Sequence, residues 1–275
     1  MQFKLWERYN INNFAAIVIN YVTALLIGLV IVWPDYTWEE AWAKAFSMPM
    51  FLLGAVFIGI FHGIALAAQK IGVSVATVSA KMGMAIPVIV FVIIYDDEHL
   101  TMVKATGLVL ALVAVWLTSI REKVVFSSKV LILLPIMIFL GSGVIDFGIG
   151  YFSGPELLTQ PKDVYLMALM PFAMSGIIGS LILGVNRIRG KRSIGRKEMI
   201  AGITLGTINF GAIWFFIETV AAELLDKSAI VPILNLGIIL TATVAGLAIF
   251  KEKLNVKNVI GLIVSVVAIV LFWLG

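Results

Sequence analysis

Residues 78–110 read VSAKMGMAIPVIVFVIIYDDEHLTMVKATGLVL, and residues 231–264 read VPILNLGIILTATVAGLAIFKEKLNVKNVIGLIV. Each stretch is an apolar run, a short charged turn containing Glu-x-Leu, and a second apolar run that carries a glycine. Residues 74–119 lie over residues 228–273 without a gap at an offset of 154, pairing Ser74 with Ser228, Gly83 with Gly237, Glu98 with Glu252, Leu100 with Leu254, Gly107 with Gly261 and Leu108 with Leu262. The preceding apolar run continues the match at an offset of 152, with Gly54 on Gly206 and Gly59 on Gly211. Apolar helices resemble one another by composition, so the glycines and the Glu-x-Leu turns carry the argument for an internal repeat.

The whole chain has this texture. Of its 275 residues 61% are hydrophobic and 13% charged, with a mean hydropathy of +1.07. That is more apolar surface than a soluble domain of this length can hide. A bilayer core of ~30 Å takes about 20 apolar residues in helix. Nine such segments recur, at residues 13–33, 48–68, 73–95, 102–120, 130–151, 164–185, 198–218, 228–250 and 256–274. The connections are too short to hold a soluble domain, so the helices must carry the function. The opening MQFKLWERYNINN has neither a clean apolar core nor a small-residue cleavage site, and reads as a loop leading into a span.

Each span moves the chain to the other face. Fifteen of the twenty Lys and Arg residues then fall on the face of residues 1–12, among them Arg8, Lys70, Arg121, Arg187 and Lys197; only Lys44, Lys104, Lys162 and Lys227 fall opposite. Basic residues near span ends are retained in the cytoplasm, so the basic loops are expected there, in the inner or plasma membrane of the cell, with the carboxy terminus outside. The net charge of +4 is spread over these loops and reports topology; no nucleic-acid partner is expected. Five helices separate the two copies, an odd number, so the second enters the membrane the opposite way up. The fold expected is an all-α integral membrane protein with an inverted five-plus-five repeat lacking its first helix: residues 1–124 form the first repeat and residues 125–275 the second. A tenth helix is expected ahead of Met1 or from another chain.

These paired segments resemble the repeated helix, Glu-Leu turn and glycine-containing helix of the drug/metabolite transporter superfamily, and specifically its EamA-type members. The likeness runs over nearly the whole chain. It implies ten helices, a central cavity and alternating-access transport, proton-linked or facilitated, of a small polar or amphipathic metabolite or drug. It implies as partners the lipid bilayer, a small-molecule substrate, and either a second copy or a chain supplying the missing helix.

An ionisable side chain inside a span costs several kcal/mol unless paired or hydrated. Lys81 lies near the middle of its span, and its repeat counterpart is Asn235. Asp146 lies in GSGVIDFGIG with Ser142 and Gly150 on the same helical face. Helix rise puts it nearer the opposite surface than Lys81 by roughly 10 Å, so a contact needs snorkelling or water. Both residues read as parts of a substrate or proton path, or as a satisfied buried lysine and a helix-capping aspartate. Asn20, Asn209 and Asn235 suit substrate binding or helix–helix hydrogen bonds, and His62 a packed position or a proton relay. Gly59-x-x-x-Gly63 and Gly202-x-x-x-Gly206 suit close helix contact. Pro87, Pro135, Pro171 and Pro232 suit bends. Trp33, Trp38, Trp42, Trp116 and Trp273 suit interfacial anchors.

There is no cysteine and there are two histidines, so neither a disulfide framework nor a thiolate metal site is available. No nucleophile with a base and no acidic pair lies within the spans, and no enzyme activity, cofactor or metal is expected. The competing expectation is a channel or a non-transporting subunit that needs a partner chain.

Overall fold

The computed structural model describes residues 2–32, 37, 39–40, 49–119, 129–153, 163–190, 194–250 and 255–275. Trp33, Trp38, Trp42, Glu252, Leu254 and the loop cations Lys44, Arg121, Lys123, Lys162, Lys191, Arg192, Lys251 and Lys253 lie outside them. The helices in chain order are α1 (Gln2–Arg8), α2 (Asn13–Val32), α3 (Pro49–Lys70), α4 (Val73–Met82), α5 (Ala85–Ile94), α6 (Met102–Ser119), α7 (Lys129–Phe152), α8 (Asp163–Ile188), α9 (Arg196–Ala221), α10 (Lys227–Phe250) and α11 (Val256–Leu274). Among the described residues there is no strand. Among the described residues seven helical stretches are long and apolar enough to cross a membrane, and α6 and α10 add the shorter apolar stretches Met102–Thr118 and Lys227–Thr241. The chain is an all-α, multi-pass membrane protein.

Residue placement within a helix shows which solvent it was built for. On α11 the buried positions are Asn258, Gly261, Ser265, Ala268 and Phe272, small or polar but for the last. The exposed positions include Val259, Ile260, Ile263, Val266, Val267 and Val270. On α7 the exposed positions Leu133, Ile136, Met137, Leu140 and Val144 follow helical spacing. Large apolar side chains outside and small or polar ones inside are the pattern lipid selects, because lipid tails do not drive apolar side chains inward.

The chain forms two compact units that interleave in sequence. One comprises Met1–Gln69 with Tyr151–Ala222, the other Lys70–Gly150 with Glu223–Gly275. In the first, α2 packs against both α8 and α9. A Cβ on Gly206 of α9 would lie 2.5 Å from the Asn20 carbonyl and 2.7 Å from Thr23. Gly54 of α3 meets α8 in the same manner, 2.4 Å from the Pro171 carbonyl and 2.7 Å from Met174, and the Ser175 hydroxyl donates to the Gly54 carbonyl at 2.7 Å. Tyr21, Phe57, Phe172 and Phe210 fill the space between these helices.

In the second unit α6 lies along α11. A Cβ on Gly261 would stand 2.9 Å from Leu117 Cβ and 2.8 Å from Thr118, and one on Gly107 would stand 3.4 Å from Leu271 and Phe272. Both helices are capped at their starts: the Thr101 hydroxyl accepts from the Lys104 N–H at 3.1 Å, and the Asn255 side chain from the Asn258 N–H at 2.8 Å. Asn258 in turn donates to the Leu117 and Thr118 carbonyls, at 3.1 Å each, tying the start of α11 to the end of α6.

Backbones this close leave no space for a side chain. Gly261→Leu is expected to force α6 and α11 apart and cost about 1–3 kcal/mol, the range for overpacking. It should appear as a lowered melting temperature in detergent, while Gly184→Ala, where nothing lies within 4 Å, should melt like the wild type. Equal melting of both variants would contradict the packing described.

Candidate functional site

In the second unit the helical stretch Val73–Ile94 tightens to a 3₁₀-type turn at Gly83 and Met84, which both keep right-handed helical backbone angles. α4 lies before this turn and α5 after it. Pro87 has no N–H to give the Gly83 carbonyl, which accepts instead from Ile86 N–H at 3.0 Å, and the Lys81 carbonyl accepts from Met84 N–H at 3.3 Å. The turn lies against α7. A Cβ on Gly83 would lie 2.8 Å from the Gly143 nitrogen and the Phe139 carbonyl, and a Cβ on Gly143 would lie 2.8 Å from the Gly83 carbonyl. Two glycines therefore bring the backbones together, two residues after Lys81 on one side and three before Asp146 on the other.

Asn235 of α10 connects these charges. Lys81 Nζ donates to Asn235 Oδ1 at 2.7 Å, and Asn235 Nδ2 donates to Asp146 Oδ2 at 3.0 Å. An ammonium only donates and an ionised carboxylate only accepts, so the amide has a single orientation, oxygen to lysine and nitrogen to aspartate. Lys81 and Asp146 are half-buried, while Asn235 is buried. The charged ends of the chain are reachable and its middle is covered. The depth difference read from the sequence is bridged by this one amide.

The ends of α10 and α6 hold this arrangement in place. The buried Glu98 carboxylate accepts from the backbone N–H of Lys227 at 2.9 Å and of Ser228 at 3.0 Å. A negative charge here offsets the positive end of the α10 dipole. Lys227 Nζ donates to the Tyr95 hydroxyl at 2.8 Å. Lys104, sorted by sequence among the loop cations, is buried and paired with Asp226. A lysine near a span end is indistinguishable by spacing from a solvated loop charge.

The other candidates lie in the first unit and do not join this chain. Asn209 Nδ2 donates to Asn20 Oδ1 at 3.2 Å, and Asn20 Nδ2 donates to the Ile17 carbonyl at 3.3 Å. The two buried amides thus link α2 to α9. His62 stands edge-on to Phe14, with ring centroids 5.4 Å apart, and lines a cavity of about 920 Å³. Its Nδ1 is buried without a hydrogen-bond partner. Among the described residues no cluster of His, Asp or Glu could hold a metal ion.

No family model matches the chain. A protein of Haemophilus influenzae, described only as uncharacterized, is 25% identical over 275 residues, which cover 97% of this chain and 90% of the relative. A solved crystal structure of a protein superposes with a TM-score of 0.69 at 12% identity, covering 98% of this chain and 93% of the other. At that identity the likeness speaks for the fold alone.

If Lys81, Asn235 and Asp146 act as one unit, their deletions are not additive. Lys81→Met and Asp146→Leu are each expected to lower stability by leaving a half-buried charge within the span without its counterpart. The double variant should lose less than the sum, by about 0.5–3 kcal/mol, in thermal or denaturant unfolding of the purified protein. Strict additivity would show that the amide carries no energetic link between the charges.

Proposed function

We propose that the chain is a secondary transporter of the drug/metabolite, EamA-like type, which moves a small polar or amphipathic metabolite or drug by alternating access. The observation that carries this reading is the Lys81–Asn235–Asp146 chain beside the turn between α4 and α5. Paired charges within spans mark substrate or proton paths. The fold reading is nine crossings with an inverted repeat and basic loops in the cytoplasm.

Several contacts support the repeat. Lys81 and Asn235, 154 positions apart, bond to each other. Gly107 meets Leu271 and Phe272 while Gly261 meets Leu117 and Thr118, so each contact reproduces the other after a shift of 154. The caps Thr101 and Asn255 stand at the same offset. In the first unit Gly54 packs at Ser175 and Gly206 at Thr23, and both residues shift by 152. Reciprocal contacts of this kind are what a two-fold axis in the membrane plane produces.

The chemistry follows from the amide. Its bond to an ionised Asp146 is charge-assisted and weakens when the carboxylate takes a proton. Protonation at one end therefore changes how firmly Asn235 is held against Lys81 at the other. A substrate carbonyl or anion arriving at the ammonium competes with that amide oxygen for the lysine N–H donors. Proton and substrate are in this way linked through three side chains.

A thermal-shift screen of purified protein against amino acids, nucleosides, sugars and cationic drugs is expected to give a dose-dependent rise in melting temperature for one class. That rise should vanish in Lys81→Ala and Asp146→Asn. Uptake of the same compound into proteoliposomes should fall at least about tenfold, a loss of ~1.4 kcal/mol, with insertion unchanged. A ligand that stabilises and is transported by both variants as by the wild type would remove these residues from the path.

A further inference from the structure

The 920 Å³ cavity belongs wholly to the first unit. It follows α2, flanked by α8 and α9, and its two ends differ in chemistry. At one end stand Asn12, Asn186, Arg187 and His62; along its length run Val18, Val22 and Leu26, with Ile203 across from them. Leu26 is 57% and Ile203 46% exposed, so the space is a groove open along its side.

Three observations specify what fits it. Among the described residues the lining holds one cation, Arg187, and no carboxylate. Glu198, next to Met199 of the lining, is buried and its carboxylate accepts from the backbone N–H of Asn12 and Gly195; Glu7, five positions before Asn12, is exposed and does not line the cavity. α2 and α9 begin at this end while α8 finishes there with Asn186 and Arg187 in its last turn, so the helix dipoles largely offset one another and the anion preference rests on Arg187. The length is the third. Asn12 to Leu26 spans fourteen residues of α2 and its cap, ~21 Å at helical rise, which matches half of a ~40–45 Å bilayer with its headgroups. A polar metabolite would leave the aliphatic length unused, and a free inorganic anion would occupy only one end.

We propose that this groove is a binding site for an anionic phospholipid of the leaflet on the Arg187 side. The phosphate lies at Arg187 and Asn186, and one acyl chain runs along Val18, Val22 and Leu26. The site is distinct from the Lys81–Asn235–Asp146 chain and does not require the chain to be a transporter. Arg187 supplies preference for the headgroup, since a basic residue at an anionic surface contributes ~1 kcal/mol. The aliphatic wall supplies affinity that any two-chain lipid shares.

The test is native mass spectrometry of the detergent-purified full chain with dioleoyl phosphatidylglycerol, dioleoyl phosphatidylcholine or inorganic phosphate. Phosphatidylglycerol adducts are expected to be retained about fivefold better than phosphatidylcholine, the equivalent of ~1 kcal/mol, and inorganic phosphate not at all. Arg187→Gln should remove the preference and leave phosphatidylcholine unchanged. Ile203→Trp, at an exposed position, should fill the groove and reduce both lipids. Equal retention of the two lipids by the wild type overturns the proposal, as does an Arg187→Gln protein that keeps its preference or an Ile203→Trp protein that keeps its adducts. Binding of inorganic phosphate alone would reassign the polar end to a soluble anion.

Discussion

Lipid gives helices no hydrophobic reason to choose one another over the solvent. What remains is close backbone approach and buried polar contact, and in this chain both are concentrated at a few positions. Gly83 and Gly143 let α7 reach the turn between α4 and α5, and only at that separation does a single asparagine span from Lys81 to Asp146. A methyl group at either glycine would overlap the facing backbone before any charge was changed. The site is thus a property of helix packing, and the charges occupy a geometry that small residues have set.

An amide between the charges has a different use from a direct ion pair. Lysine carries three donors and a carboxylate about four acceptor sites, and the contact with Asn235 engages one of each. A direct bidentate pair would satisfy more of them internally and leave less for a ligand. The arrangement holds both charges within the membrane-spanning region while keeping capacity at each end.

Much of this was legible in the sequence for physical reasons. Apolar length marks candidate spans, and an ionisable residue inside one is costly unless paired or hydrated, so Lys81 and Asp146 stand out in the sequence as residues that need partners. Asn235 was found through its register with Lys81. Other features depend on partners distant in sequence and leave no local mark. The carboxylates of Glu98 and Glu198 accept from helix starts on other elements, and Lys104 is buried against Asp226, though spacing alone makes Glu98 a turn residue, Glu198 the first residue of a span and Lys104 a loop cation. Pro87 signalled a bend, whereas the role of Gly83, close approach to α7, is visible only once α7 lies against it. Asn20 and Asn209 show the reverse: polar residues in spans that prove to be each other's partners.

Glu98 has a consequence beyond capping. Its two hydrogen bonds grip the first turn of α10 at Lys227 and Ser228, and Asn235 lies eight residues further along, ~12 Å at helical rise. A helix held in this way cannot slide along its axis without breaking both bonds at once. The carboxylate therefore works as a depth stop, setting from the membrane surface the level at which the amide meets its two charges.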